Sequence, residues 1–346
     1  MKQWYKLKWI LAPAAMLILI LDTKTAVSAV GDGIDMCLRS VIPSLFPFVA
    51  ISPYVTQALS SRPMYILRPI CRFCHMSEGS ESLLLTGLLG GYPLGAQCIR
   101  HAYENGQLSS ADAMRMVGFC NNAGPAFIFG VVGSLLANRT YVWVIWAIHA
   151  ISALIVGMIL PNVKTIDMYP RDSGFTKPFN MIDTAIKTIA KICSWILIFR
   201  TIIAYVDKYV IIFASEEASV VIAGLLELTN GCLATKNITD EPTRFLIISA
   251  LLSFGGVCVS MQTLSVTNGI NLSLYFPGKI MQCCISIIIS EILLPILYSN
   301  SVIHIPLLFG SAFTLLLVNT IVKVLLTKKS IAILGNVRYN SEKSYI

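Results

Sequence analysis

Long apolar runs, more than any other feature, limit what this chain can fold into. Stretches at 28–54, 115–136, 141–160, 191–213, 244–266, 279–297 and 304–326 each come close to or exceed the roughly 20 residues that cross a bilayer as a helix. A further run, Trp9 to Leu21, follows the basic start Lys2, Lys6 and Lys8. Charged residues are 13% of the chain and mean hydropathy is +0.73, whereas soluble domains carry about 25% charge. A soluble fold of 346 residues would need more polar surface to cover its core. The chain therefore reads as an all-α polytopic membrane protein.

A charged start before a short apolar run also suits a removable signal, with Ala26, Ser28 and Ala29 imitating a cleavage site. We read 1–26 as a first transmembrane helix, because the rest of the chain is itself membrane-embedded. The net charge of +8 comes from clusters at loop ends, not from a basic face, so nucleic acid is not an expected partner. The cysteines are mostly scattered singly through apolar segments, as small core residues are. Cys71-Arg72-Phe73-Cys74-His75 matches a haem-attachment pattern, but on the topology below it falls on the cytoplasmic side and reads as an ordinary loop. No H-E-x-x-H, P-loop or G-x-S-x-G occurs; the expectation is a non-enzyme without cofactor or metal.

Two apolar stretches carry helix breakers at their centres. Residues 82–101 contain Gly87, Gly90, Gly91, Pro93 and Gly95; residues 219–235 contain Gly224, Glu227, Asn230 and Gly231. Such segments suit re-entrant hairpins, whose freed backbone groups are satisfied by protein or a cavity. The positive-inside rule favours this reading. Ten full spans divide the basic residues about 13 inside to 10 outside, but eight spans with two hairpins divide them about 18 to 5. The inside set includes Arg115 and Lys279.

The hairpins also mark a repeat. Residues 86–95 align with 223–232, 41–46 loosely with 191–196, and 118–124 occupy the place that 253–258 hold later. This gives an N-terminal helix (1–26), repeat 1 (27–165), an inverted repeat 2 (166–300), and a C-terminal helix with a cytoplasmic tail (301–346). Inverted repeats with discontinuous helices are the architecture of many secondary transporters, which bind substrate near the midplane.

Four polar segments are the candidate site. Gly91, Tyr92, Pro93, Gly95 and Gln97 form the first, where glycine permits close backbone approach and proline frees a carbonyl. Asn121, Asn122 and Gly124 place two amides before a Gly-Pro break. Glu227, Thr229 and Asn230 put a carboxylate at the second tip, and Gly255, Gly256, Ser260 and Gln262 complete the set. Ionisable groups inside a membrane are functional candidates. Glu227 leads; Glu291 is as well explained by a structural hydrogen bond and His149 by packing, while Arg200 could meet an anionic cargo but equally snorkel or pair with an acid.

Jointly, and in this order, Gly91-Tyr92-Pro93-Leu94-Gly95-Ala96, Phe119-Cys120-Asn121-Asn122-Ala123-Gly124-Pro125-Ala126-Phe127-Ile128, Gly224-Leu225-Leu226-Glu227-Leu228-Thr229-Asn230-Gly231 and Phe254-Gly255-Gly256-Val257-Cys258-Val259-Ser260-Met261-Gln262 resemble motifs of a known family. The chain resembles the sporulation integral membrane protein YlbJ (SpoVV) family, in the wider nucleoside-recognition gate-domain group, from about the second span to the seventh. The resemblance implies transport of dipicolinic acid across the outer forespore membrane of a spore-forming bacterium, by a fold akin to concentrative nucleoside carriers. Where the family's fourth motif reads Gly-Gly-Leu-Ser-Val-His-Ala-Gln, this chain has Val257-Cys258 for Leu-Ser and Ser260-Met261 for His-Ala, so the titratable histidine of that motif is missing. Alternatives are a transporter of nucleosides or another metabolite, and a membrane scaffold for spore assembly. The expected partners are a small anionic substrate and membrane lipid; a homo-oligomer rests on fold analogy alone.

Overall fold

A computed structural model describes residues 2–60, 64–162, 181–210, 215–298 and 304–343. Among these residues every regular element is a helix. Helix α1 (Lys2–Leu21) leads into α2 (Thr23–Met36), and a π-helical turn at Cys37–Val41 joins α2 to α3 (Ile42–Ser60). Next come α4 (Arg68–Phe73), α5 (Glu81–Leu89), α6 (Leu94–Glu104), α7 (Ser110–Phe119), α8 (Pro125–Gly130) and α9 (Arg139–Ile159). The second half holds α10 (Met181–Tyr209), α11 (Glu216–Leu226), α12 (Leu228–Ala234), α13 (Glu241–Phe254), α14 (Gly256–Val266) and α15 (Tyr275–Leu297); α16 (Ile305–Lys343) follows.

Local chemistry sets several of these boundaries. Ser109, Asn138, Ser215 and Asp240 each accept a backbone N–H in the first turn of the helix they cap. Pro125 opens α8, where its missing N–H costs nothing. Gly255 and Gly256, with φ of +84° and +78°, split what would be one helix into α13 and α14. An L side chain is strained in that left-handed region.

The two halves follow the same plan: a long helix, a hairpin, a broken helix, another long helix. Helix α3 corresponds to α10, the α5–α6 hairpin to α11–α12, broken α7–α8 to α13–α14, and α9 to α15. Packing respects the correspondence: α3 lies on α10 and α9 on α15, α7 packs on α15 as α13 does on α9, and α3 meets α8 as α10 meets α14. The hairpin crossings match too. A Cβ on Gly95 would stand 3.2 Å from the Gly87 Cα, and one on Gly231 would overlap Gly224. Small residues let helices approach this closely in a membrane, where apolar burial does not drive association.

Six segments among the described residues are long and apolar enough to cross a membrane: Thr23–Ile51, Arg139–Ile159, Ala185–Tyr209, Glu241–Val266, Tyr275–Leu297 and Ile305–Leu326. Eight were expected. The run at 115–136 is the broken pair α7–α8, interrupted at 120–124, and the N-terminal run lies in α1, whose residues Ala12–Leu21 form an apolar stretch. The repeat boundary at 26/27 falls inside α2; those at 165 and 300 lie outside the described residues. Apolar side chains such as Phe309, Phe313 and Leu316 on α16 remain exposed, as lipid-facing residues are.

Two charges counted as cytoplasmic loop ends are instead buried, Arg115 and Lys279, each 1% exposed. Without them the division of basic residues is still about 16 to 5. The Arg115 guanidinium donates to the carbonyls of His75 (2.8 Å), Cys74 (3.1 Å), Gly157 (3.1 Å) and Leu160 (3.3 Å). It thereby ties the end of α4 to the end of α9. Cys74 is buried, with its thiol 3.6 Å from the Leu154 carbonyl, and His75 takes a positive φ of 51°.

Candidate functional site

Both hairpin turns and both helix breaks meet at the centre of the molecule. In the first half Gly91 packs on Gly124: a Cβ on Gly124 would stand 2.9 Å from the Gly91 Cα. In the second, a Cβ on Gly256 would stand 2.9 Å from the Gly224 carbonyl oxygen. Each hairpin thus rests on the break of its own half. Tyr92 crosses between halves, its hydroxyl donating to the Leu252 carbonyl at 3.1 Å.

A cavity opens at this junction, holding about 440 Å³ with its mouth included. Tyr92, Ala123, Gly124 and Phe127 line it from the first half; Glu227, Leu228, Thr229, Val259 and Gln262 line it from the second. Val41 and Leu45 face it from the π turn and α3, Ile192 and Ile196 from α10. These two pairs are counterparts, one residue out of the register read from sequence.

Glu227 is 2% exposed and caps α12 with its own side chain. Its carboxylate accepts the backbone N–H groups of Thr229 (3.0 Å) and Asn230 (2.7 Å) and the Asn230 side-chain amide (2.8 Å). The N–H groups at this turn, otherwise suited to an anion, are therefore already engaged.

The amide pair does two jobs. Asn121 Oδ1 accepts from the Ala96 N–H at 3.3 Å while its Nδ2 donates to Thr263 Oγ1 at 2.9 Å, joining α6 to α14. Asn122 Nδ2 donates to the Phe119 carbonyl at 2.7 Å, closing the end of α7. Its Oδ1 accepts from Gln282 Nε2 at 3.0 Å and from Lys279 Nζ at 3.3 Å.

Of the remaining predicted residues, Gln97 Oε1 accepts from the Thr188 hydroxyl at 3.4 Å, facing α10 rather than the cavity. Ser260 bonds back to the Gly256 carbonyl at 3.0 Å, and Gln262 Nε2 reaches Cys258 Sγ at 3.4 Å. Pro93 follows a cis peptide at the first turn. Arg200 pairs with Asp32 at 3.0 Å. Glu291 is fully buried and receives the His304 backbone N–H at 2.8 Å, fixing the start of α16 against α15.

Sequence reasoning missed three residues of this centre. Lys279 Nζ donates to Gln282 Oε1 (2.6 Å) and Tyr92 Oη (3.2 Å) besides Asn122, and lies 5.1 Å from the Tyr92 ring centroid. Hydropathy placed it at the edge of a span. The available signal was that it is the only charged residue between Arg244 and Glu291, directly after Gly278. That glycine meets Gly118 backbone to backbone, which draws the start of α15 into the core. Gln282 follows one turn later. His149, read as a packing residue, is 2% exposed; its Nε2 accepts the Ala123 N–H at 3.0 Å and its Nδ1 lies 3.3 Å from Ser253 Oγ.

No family model matches the chain and no solved structure matches it. Over 160 residues it is 26% identical to the sporulation integral membrane protein YlbJ of Bacillus subtilis (strain 168). The aligned part is 45% of this chain and 39% of that protein, so the chain spans about two fifths of the relative's length. The chain is an integral membrane protein that resembles YlbJ, as its four polar motifs imply.

Proposed function

We propose that this chain is a sporulation membrane transporter that carries a small anionic aromatic acid, dipicolinic acid, across the outer forespore membrane. The observation that carries the proposal is one cavity lined by both hairpin turns, by the first helix break and by α14, the helix that follows the second break. Discontinuous helices at the contact of two repeats are where secondary transporters place substrate and coupling ions. If the broken pair α7–α8 crosses as a unit, each half crosses three times, the second repeat is inverted, and one half rocking against the other opens the cavity to alternate sides. The likeness to YlbJ supplies the sporulation context.

Reconstitution tests this reading. Proteoliposomes holding the folded full chain take up dipicolinate, and Asn121→Ala reduces the uptake by loosening α6 from α14. In sporulating cells the same variant lowers dipicolinate accumulation. Folded protein that passes no dipicolinate rejects the proposal.

A nucleoside cargo is the second reading, favoured by Glu227 and Gln262 on the cavity wall, where acceptor oxygens suit sugar hydroxyls. Competition between uridine and dipicolinate for binding separates the two.

A further inference from the structure

We propose that Lys279 is the docking cation for a carboxylate of the transported acid, and that the Tyr92 hydroxyl holds its place until the acid arrives. This rests on the transport reading above and names the group that would give it charge selectivity.

Lys279 is 1% exposed, and each of its three hydrogen-bond acceptors, on Tyr92, Asn122 and Gln282, is neutral. Among the described residues no carboxylate forms an ion pair with it. The acid on the cavity wall, Glu227, is engaged by the turn it caps. A buried ammonium held by neutral oxygens is a poor choice for stability, since an apolar side chain of similar size avoids the desolvation cost. An arriving anion supplies the missing counter-charge.

Tyr92 stands between this ammonium and the cavity. Its side chain lines the cavity, while its hydroxyl meets Lys279 and the Leu252 carbonyl together. A carboxylate oxygen that displaces the hydroxyl gives the ammonium a charged acceptor in place of a neutral one, turning a hydrogen bond with one charge into an ion pair. Asn122 and Gln282 hold the ammonium in position meanwhile, linked to each other at 3.0 Å. Binding would also free Leu252, on α13, from the first hairpin, which couples cargo to the contact between the halves.

The test is equilibrium binding of dipicolinate and its neutral diamide to the purified full chain in nanodiscs, for wild type, Lys279→Gln, Lys279→Arg and Tyr92→Phe. Wild type is expected to prefer the acid. Lys279→Gln weakens acid binding about tenfold to a hundredfold and erases the preference over the diamide, while Lys279→Arg keeps part of it. Tyr92→Phe binds the acid more tightly, because the competing hydroxyl is gone; a purely structural tyrosine would not produce that gain. Acid binding that is unchanged in Lys279→Gln overturns the inference and leaves the transport reading standing. If Lys279→Gln does not fold, Tyr92→Phe decides, and unchanged or weaker acid binding overturns it. Wild-type protein that binds no acid removes both proposals.

Discussion

A methyl group on Gly231 would overlap the Cα of Gly224, so the two helices of the second hairpin touch backbone to backbone. Gly231→Ala should therefore force α11 and α12 apart, at the roughly 1–3 kcal/mol that overpacking costs. Gly310 on α16 has nothing within 4 Å of its would-be Cβ, and Gly310→Ala should leave stability equal or slightly raised. Thermal midpoints of the two variants in detergent check the contrast.

Glu227 offers two carboxylate oxygens to three donors. Glu227→Gln keeps one acceptor and turns an NH₂ group toward backbone N–H groups, leaving a buried donor unpaired at about 1–3 kcal/mol. The amides of Thr229 and Asn230 should exchange hydrogen faster in the variant than in wild type. Unchanged exchange would show that the cap contributes nothing.

The two arginines read from sequence differ in consequence. Arg115→Met strips hydrogen bonds from four carbonyls and should cost about 3 kcal/mol or more. Arg200→Gln breaks an ion pair with Asp32, whose side chain is 55% exposed, and should cost about 1 kcal/mol at most. Expression yield and thermal midpoint, measured together, separate them.

Asp240 gives a pH-dependent test outside the spans. Hydrogen bonds from Thr243, side chain first and then backbone, hold its carboxyl below the ordinary value of 3.8. A lowered folded-state pKa means the cap stabilises fully above the unfolded value and is lost as pH falls through the folded one. Asp240→Ala should thus lower stability by about 1 kcal/mol at neutral pH, and the gap to wild type should close below about pH 4.

Some of this centre was legible in the sequence because breakers betray themselves inside apolar runs. Gly91 with Pro93, and Gly224 with Asn230, announced the hairpins, and Gly124-Pro125 announced the first break. The same break was then averaged away when 115–136 was counted as a span, since hydropathy sums residues without regard to where the helix stops. Lys279 escaped for a related reason: a charge at the edge of an apolar window reads as a loop end. Only the close approach of Gly278 to Gly118 puts it inside, and that is a tertiary fact. Tyr92 and Glu227 were found, and Thr229 and Asn230, which Glu227 caps, were named beside it, but the distant Tyr92 partners Leu252 and Lys279 were not.

His149 carries a mechanical consequence. Its Nε2 accepts from the Ala123 N–H, so in the neutral ring Nδ1 bears the proton and points it at Ser253. Ala123 belongs to one break; Ser253 immediately precedes the other. A swing of either break alone would cost this imidazole one of its two hydrogen bonds, so a single side chain pins both breaks in the arrangement seen.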